Sequence, residues 1–315
     1  MSGSPLGRIG SFVVTFHRPA ALAKTLGALF DQTRPPEIVL VVDNGGGDAE
    51  GVVTGLGNPR VAYECTGSNL GSAGGVAFGM RALATRGFDW FHSVDDDDPP
   101  SSVDTLERLH ALIQRHDNPR LGAVAAVGCN WDWATGQLRR IPDEALAGDL
   151  VVDVAGGGGQ LTVRREVVEA IGTPDPRLFF GFYDPLYCLR MAQAGFEVLI
   201  DADLMRSYRL VHNRLSVRRS RSLVPKVEYA GTWRQYYVSR NYIYRMRNTF
   251  DRPDLARKEA ARAAVRSAAS WLRGPRYGAH FTALQARGVA DGYLNRLGRR
   301  VEPMPKSLHR RPAGG

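Results

Sequence analysis

The sequence has few cysteines and no long apolar run. Its 315 residues include three cysteines, Cys65, Cys129 and Cys188, and no two of them form a Cys-x-x-Cys pair. This spacing argues against a zinc site built on paired cysteines and against a disulfide-stapled scaffold, so we expect reduced thiols. No stretch reaches the roughly 18 apolar residues that cross a bilayer, and residues 1–10 lack a signal-peptide pattern. We therefore expect a cytoplasmic protein that is at most peripheral on a membrane.

Charge is unevenly distributed along the chain. Residues 1–205 carry 16 Lys and Arg against 26 Asp and Glu, whereas residues 206–315 carry 25 against 6. A dense positive charge attracts the phosphates of nucleic acid or of an anionic membrane, and charge alone does not choose between them. We predict an acidic catalytic domain over residues 1–215 and a basic, mainly helical region over residues 216–315, in which residues 255–272 have a helical pattern.

Short β-branched runs alternate with helical patterns in the first third of the chain. Predicted strands span residues 9–15, 38–42, 61–65 and 90–94, with a further one at 121–127, and a predicted helix begins at Pro19. Such alternation is typical of an α/β domain with a mostly parallel sheet and crossover helices. Ligands of open α/β sheets bind at the carboxyl ends of the strands. Asp43 and the run Asp95 to Asp98 lie at two such ends and are the first candidates for a site.

The run of four aspartates is the strongest single signal. Close carboxylates repel one another by about 1 kcal/mol or more per pair near a surface, so such a run after a buried strand favours a bound cation. Oxygen ligands indicate Mg²⁺ or Mn²⁺. A solvated acidic loop is the alternative.

Other candidates are weaker when each is taken alone. Asp43 precedes Asn44 and three glycines and is placed to accept hydrogen bonds from a ribose or base, although a simple Asx-turn has the same pattern. His212 is a lone histidine, and a structural role is the alternative. A spaced set of small residues that would let a backbone approach a nucleotide comprises Asn69, Gly71, Gly74, Gly75 and Gly79.

Six motifs follow one another along the chain. They are Val-Val-Thr at 13–15, Val-Val-Asp-Asn at 41–44, Asn-Leu-Gly-Ser-Ala-Gly-Gly at 69–75, Asp-Asp-Asp at 95–97, Gly-Gly-Gln-Leu-Thr-Val-Arg-Arg at 158–165 and Phe-Phe-Gly-Phe-Tyr-Asp at 179–184 with Leu-Arg at 189–190, and His212 comes after them. In this order they resemble the family 2 inverting glycosyltransferases of the GT-A fold, over about residues 9–213. Within that family the chain is most similar to actinobacterial galactofuranosyl- and rhamnosyltransferases, on the segment Arg-Gln-Tyr-Tyr-Val-Ser-Arg-Asn at 234–241.

The resemblance implies a role for each matching residue. Asp95, Asp97 and His212 would hold Mn²⁺ or Mg²⁺, and Asp184 would be the general base. Tyr183 stands where the family has an acid, and Leu186 replaces the acid usually found two positions after the base. Contacts to the nucleotide-sugar would come from Thr15, Asp43, Asn69, Gly71, Gly74, Asp95 and Asp96.

The expected function is a metal-dependent inverting transfer of galactofuranose or rhamnose from a UDP- or dTDP-sugar. The acceptor would be a glycan or polyprenyl-linked glycan at the inner leaflet of the cell membrane, where the basic region would lie. Alternatives are an inactive glycan-binding relative, suggested by Tyr183 and Leu186, a sugar-nucleotide pyrophosphorylase and a nucleic-acid-binding protein. No helix-turn-helix, zinc or ribonucleoprotein motif supports the last, so we expect no nucleic-acid partner. The sugar, the linkage and the oligomeric state are not determined by these motifs.

Overall fold

The structure, a computed structural model, describes residues 7–116, 118–156, 160–216 and 224–303. The chain forms two compact units, the first comprising Met1–Asp175 and Tyr187–Val217, the second Pro176–Leu186 and Arg218–Gly315. The predicted division between residues 215 and 216 stays a prediction. A short segment of the predicted catalytic domain, Pro176–Leu186, is grouped with the C-terminal helices.

Strands and helices alternate through the first unit, and helices make up most of the second. Within the described residues the strands are β1 (Ile9–Thr15), β2 (Val39–Asp43), β3 (Val61–Cys65), β4 (Trp90–Asp95), β5 (Leu121–Ala125), β6 (Gly128–Asp132), β7 (Gln137–Arg139), β8 (Asp149–Val152), β9 (Val154–Ala155), β10 (Leu161–Arg164) and β11 (Glu197–Asp201). The α-helices in the same residues are α1 (Pro19–Phe30), α2 (Glu50–Leu56), α3 (Gly71–Thr85), α4 (Thr105–Arg115), α5 (Arg165–Ile171), α6 (Tyr183–Gln193), α7 (Ala202–Val211), α8 (Trp233–Asn248), α9 (Pro253–Ser270) and α10 (Pro275–Tyr293).

One mixed sheet organises the first unit. Its order is β3-β2-β1-β4-β10-β5-β11-β8 across the described strands. Strands β3, β2, β1 and β4 are parallel to their neighbours, whereas β10 is antiparallel to both β4 and β5. β2 is buried along its whole length, as expected of an interior strand covered on both faces. The predicted α/β class with a mostly parallel sheet is confirmed.

Helix α3 packs closely on the sheet because it carries glycines. A Cβ atom added at Gly75 would overlap Val14, and one added at Gly79 would overlap Phe12, both on β1. These glycines therefore serve helix-to-strand packing. The structure gives this part of the glycine pattern a structural reason.

The second unit is built on α8, α9 and α10. Phe179, Trp233, Tyr236 and Tyr237 form a buried aromatic cluster at one side of α8. Among the described residues, none of the helices has both the length and the apolar character that crossing a bilayer requires.

Candidate active site

The carboxyl ends of β1, β2 and β4 bring three sequence-predicted residues to one edge of the sheet. Thr15 is paired with Asp43 in the β1–β2 register, and Val14 is paired with Asp95 in the β1–β4 register. Because these strands are parallel and adjacent, Thr15, Asp43 and Asp95 lie at the same edge. Four consecutive aspartates follow from this edge, in a turn where the Asp98 N–H donates to the Asp95 carbonyl at 3.3 Å.

Asp96 is the buried member of the acidic run. Its Oδ2 accepts a hydrogen bond from the Thr15 hydroxyl at 2.8 Å, and its Oδ1 accepts one from Arg18 at 3.1 Å. Its backbone carbonyl accepts a bond from the Thr25 hydroxyl at 2.8 Å. Burial raises the pKa of Asp96, and the bonds from Thr15 and Arg18 oppose that shift. The contacts of Asp96 within the protein thus hold the loop in place.

Arg18 supplies positive charge to the acidic run, and sequence reasoning missed it. Its guanidinium forms ion pairs with both Asp96 and Asp97. Arg18 follows β1 and immediately precedes Pro19, the first residue of α1. The protein itself therefore neutralises part of the negative charge of the four carboxylates.

Asp98 is the aspartate that faces His212. The His212 Nε2 lies 4.0 Å from Asp98 Oδ1, and both side chains are partly buried. Burial raises the pKa of Asp98, and the nearby His212 opposes this. His212 follows directly after α7, and its ring lies 4.2 Å from that of Tyr208, centroid to centroid. Asp98 lay outside the predicted Asp-x-Asp pair, so it is a further candidate ligand.

The donor set fits a divalent ion that shares its coordination with a substrate. Two ligands that are each about 2.1 Å from one ion lie up to about 4.2 Å apart, a span that includes the Asp98–His212 separation. The described residues contain no group of three or more His, Cys, Asp or Glu side chains gathered as metal ligands. Mg²⁺ sites commonly use one or two carboxylates and take their other ligands from phosphates and water. Two protein ligands at the acidic run suit such a site.

Asp43 organises the loop after β2. It is fully buried, and its Oδ1 accepts a bond from the Gly46 N–H at 2.8 Å. Its Oδ2 accepts bonds from the Ala49 N–H at 3.2 Å and from the Tyr63 hydroxyl at 3.1 Å. Burial and the bond to Asp43 raise the pKa of that hydroxyl above its ordinary value. These contacts fit the Asx-turn alternative, and nucleotide binding by Asp43 stays a prediction.

The Asn69–Gly71 turn is joined to the β2 loop at the same edge. Asn69 Oδ1 accepts a hydrogen bond from the Gly71 N–H at 2.8 Å, and Gly71 has a left-handed φ of 72°. Asn44 donates to the Gly71 carbonyl at 3.0 Å and accepts from the Leu70 N–H at 3.0 Å. Gly74 faces Leu70, against which an added Cβ would lie only 2.5 Å away. Asn44 is thus the residue that links the two loops, and it was not among the predicted site residues.

Asp184 is in the first turn of α6 and is partly buried. The turn that precedes it is strained, because Phe179 and Phe182 have φ values of 61° and 60°, a region that non-glycine residues rarely adopt. Strain of this kind costs about 1–3 kcal/mol per residue and persists only where surrounding contacts enforce it. The enforcing contacts come from α8.

Arg240 and Asn241 of α8 hold that turn. The Asn241 amide donates to the carbonyls of Leu178, Phe180 and Gly181 at 3.1, 2.8 and 2.8 Å. The fully buried Arg240 donates to the Leu178 carbonyl at 2.7 Å. Both residues belong to the 234–241 segment, on which the resemblance to actinobacterial galactofuranosyl- and rhamnosyltransferases rests. Residues 157–159, which include the start of the 158–165 motif, lie outside the described residues.

Known proteins resemble this chain in sequence over about half its length. A galactofuranosyltransferase GlfT1 from Mycolicibacterium smegmatis is 34% identical over 181 residues, which are 53% of this chain and 59% of the relative. A protein of the same name from Mycobacterium tuberculosis is 36% identical over 182 residues, again 53% and 59%. The chain thus spans less than two thirds of the length of these curated relatives. No protein-family model matches it.

Solved structures share its fold. The mannosyltransferase PcManGT from Pyrobaculum calidifontis, in complex with GDP-Man and Mn²⁺, has a TM-score of 0.52 at 16% identity and covers 92% of this chain and 88% of its own. GalNAc-T7 with UDP, GalNAc and Mn²⁺ has a TM-score of 0.52 at 15% identity over 63% of this chain and 43% of its own. The chain therefore has the fold of glycosyltransferases and, over about half of its length, a sequence similar to curated galactofuranosyltransferases, as its motifs predicted.

Proposed function

We propose that the protein transfers a sugar from a nucleotide-sugar to a glycan acceptor. The observation that carries this is the edge at which Thr15, Asp43 and the acidic run meet, with His212 facing Asp98. Ligands of parallel α/β sheets bind at such an edge. The sequence similarity to galactofuranosyltransferases and the shared fold support the same reaction class.

One set of residues would bind the donor, and another would activate the acceptor. Asp98 and His212 would hold a Mn²⁺ or Mg²⁺ ion beside the donor diphosphate, and ligation by Asp95 and Asp97 stays a prediction. When bound, that ion offsets the negative charge that develops on the leaving nucleotide diphosphate. Thr15 and Arg18 fix the loop that presents these ligands, through their bonds to Asp96.

Asp184 is the proposed general base. An acceptor hydroxyl oxygen forms the new bond to the anomeric carbon, its proton passes to the Asp184 carboxylate, and the bond from that carbon to the diphosphate breaks. One in-line displacement of this kind inverts the anomeric configuration. The α8 amide and guanidinium that hold residues 178–181 would position Asp184.

The donor proposed first is UDP-galactofuranose, with dTDP-rhamnose second, because the curated relatives are galactofuranosyltransferases. The acceptor proposed is a glycan or polyprenyl-linked glycan at the inner face of the cell membrane.

The C-terminal helices offer a surface for binding the membrane. Trp271 and Leu272 are 50% and 79% exposed between α9 and α10. The exposed Arg273 and Arg276 follow them closely in the chain. Exposed apolar side chains among cations are the pattern of interfacial binding.

The decisive experiment measures transfer from each donor to a synthetic galactan or rhamnosyl acceptor with Mn²⁺, with the product configuration determined by NMR. We expect Asp184→Asn and His212→Ala to lower kcat by at least about 100-fold, and Asp203→Asn, an exposed carboxylate, to leave it unchanged. If a folded Asp184→Asn variant keeps its turnover, Asp184 is not the general base. Donor binding without transfer or hydrolysis would instead identify an inactive glycan-binding relative.

A further inference from the structure

A cavity lies in the first unit, at the amino ends of β1 and β4, whose carboxyl ends carry the candidate active site. It has a volume of about 290 Å³ and lies between α4 and the starts of β1 and β4. Its lining includes Ser11, His92, Thr162 and His110 inside, with Arg34 near them. Nothing in the proposed transfer reaction uses these residues.

A polar row crosses the floor of this cavity. Ser11 of β1 is paired with His92 of β4, and His92 is paired with Thr162 of β10, so the three side chains lie next to one another on one face of the sheet. All three are buried. Around them the same face is apolar, and its Trp90 and Val124 pack in one cluster with Leu109 of α4. A row of three polar side chains in an apolar face costs stability unless their hydrogen bonds are made.

Several of those bonds are not made within the protein. The Thr162 hydroxyl lies 2.8 Å from His92 Nδ1, which accounts for one nitrogen of the ring. Ser11 Oγ, His92 Nε2 and His110 Nδ1 are buried and have no hydrogen-bond partner among the described residues. Buried polar groups in folded proteins are nearly always paired, so three orphans around one cavity indicate that a ligand completes them.

Charge around the cavity identifies the kind of ligand. Arg34 forms no ion pair or hydrogen bond within the described part of the chain, and its charge contributes to lowering the pKa of His110 to about 4, after burial. Arg60 lies over the Phe30 ring at 4.8 Å, and Arg8 is paired with Glu37. Burial lowers the pKa of His92 to about 3, so that ring is neutral. Hydroxyl, imidazole and unpaired guanidinium groups together donate to an oxyanion, and the net positive charge disfavours a metal ion.

We propose that this cavity binds a small phosphate-bearing molecule, whose oxygens accept hydrogen bonds from Ser11, His92 and Arg34. With the Thr162 hydroxyl donating to His92 Nδ1, the His92 Nε2–H is the donor toward the ligand. The cavity is larger than inorganic phosphate needs, so a phosphorylated small metabolite such as a sugar phosphate fits it better. The site is separate from the acidic run: Ser11 and Thr15 are four residues apart on β1, about 13 Å at 3.3 Å per residue.

The test uses the full chain saturated with UDP and Mg²⁺, so that phosphate has no access to the proposed donor site. Inorganic phosphate and glucose 1-phosphate are titrated at constant ionic strength, with isothermal calorimetry and the ring nitrogen signals of His92 and His110 as readouts. We expect saturable binding that moves both sets of signals. Arg34→Gln and Ser11→Ala should each weaken binding about tenfold or more, whereas Arg120→Gln, an exposed arginine on the same unit, should not.

Three outcomes would overturn the proposal. The first is an absence of binding by both probes, which would mean that water alone fills the cavity. The second is binding that leaves the His92 and His110 signals in place. The third is equal affinity in Arg34→Gln and Arg120→Gln. If UDP itself fails to bind, the proposed function is in doubt, but the histidine signals still report on this cavity.

Discussion

At the scale of single residues, the acidic loop after β4 gives each of its carboxylates a different environment. Asp96 is buried against Thr15, and Asp97 is exposed beside Arg18. Asp98 is partly buried and faces His212, whereas Asp95 is exposed at the end of the strand. The four are therefore not interchangeable, and substitutions at each should have different effects.

Asp98→Asn should raise the melting temperature at pH 7 and lower donor turnover. Burial raises the pKa of Asp98 above its ordinary value of 3.8, so the folded state binds its proton more tightly than the unfolded state does. The ionised carboxylate consequently lowers the free energy of unfolding as pH rises above about 4. We expect the variant, without metal, to melt about 1–3 °C higher than the wild type at pH 7 and at the same temperature at pH 3.5.

The measurement is thermal unfolding by circular dichroism in EDTA at both pH values. Donor turnover measured with Mn²⁺ should fall at least about 100-fold in the same variant. Asp203→Asn serves as the control, because its carboxylate is exposed. If Asp98→Asn melts at a lower temperature than the wild type at pH 7, this account is wrong.

Sequence patterns identified the acidic run but not its partners. Arg18 is a single arginine before a proline, and nothing around it in the sequence links it to residues 78 or 79 positions away. That link arises because β4 pairs with β1, a non-local contact. The assignment of Asp98 to His212 likewise depends on a turn that periodicity does not describe.

At the scale of elements, the contact of α3 with β1 determines how closely a helix approaches the sheet. Gly79→Ala would place a methyl group against the buried Phe12 ring, and overpacking of this kind costs about 1–3 kcal/mol. Gly27→Ala in α1 meets no atom within 4 Å and should gain about 0.5–1 kcal/mol, because alanine is the better helix former. Urea unfolding of the two variants measures both effects. A stabilising Gly79→Ala would show that the helix moves away at little cost.

Asn241→Ala tests the α8 contacts to the turn before Asp184. The substitution removes the side-chain donor from the Phe180 and Gly181 carbonyls, whereas the Leu178 carbonyl keeps its bond from Arg240, and we expect a loss of about 2–3 kcal/mol in the free energy of unfolding. It should also lower kcat more than it raises KM, because Asp184 loses its fixed position. Asn248→Ala on the same helix is the control, since its side chain is exposed. A variant with normal kcat would show that the turn keeps its geometry without Asn241.

Element prediction succeeded where apolar runs were long and failed where they were short. The predicted bounds of β1 and β3 match the structure, and α1 begins at Pro19 as expected. The predicted strand at 121–127 is wrong at its end, because β5 stops at Ala125 and β6 starts at Gly128 in a separate sheet. Strands β6 to β9 have two to five residues, too few for an alternating pattern to be recognised.

At the scale of the whole molecule, the charge asymmetry seen in the sequence coincides with an apolar feature that the sequence did not reveal. Trp271 and Leu272 fell inside a predicted helix over residues 255–272, whereas the structure ends α9 at Ser270 and leaves both exposed in the following turn. An exposed Trp-Leu pair near exposed arginines supports binding to an anionic surface.

Replacing both apolar residues should weaken membrane binding. We expect Trp271→Ala with Leu272→Ala to reduce partitioning onto phosphatidylglycerol vesicles by at least tenfold, because each side chain contributes about 1.5–3 kcal/mol when fully buried in an apolar phase. Sedimentation with vesicles measures this, with phosphatidylcholine vesicles as the uncharged comparison. Leu56→Ala with Val103→Ala removes two exposed apolar side chains from the first unit as a matched control. If both double variants lose vesicle binding equally, Trp271 and Leu272 do not form the membrane-binding surface.

The position of Cys65 has a practical consequence. Its thiol is exposed at the end of β3, in register with Asp43 on the neighbouring strand, whereas Cys188 is buried. A thiol-reactive fluorophore should therefore label Cys65 readily and leave Cys188 unmodified. The dye would stand one strand from the proposed donor pocket, so the native chain offers its own attachment point for following occupancy of that pocket in real time.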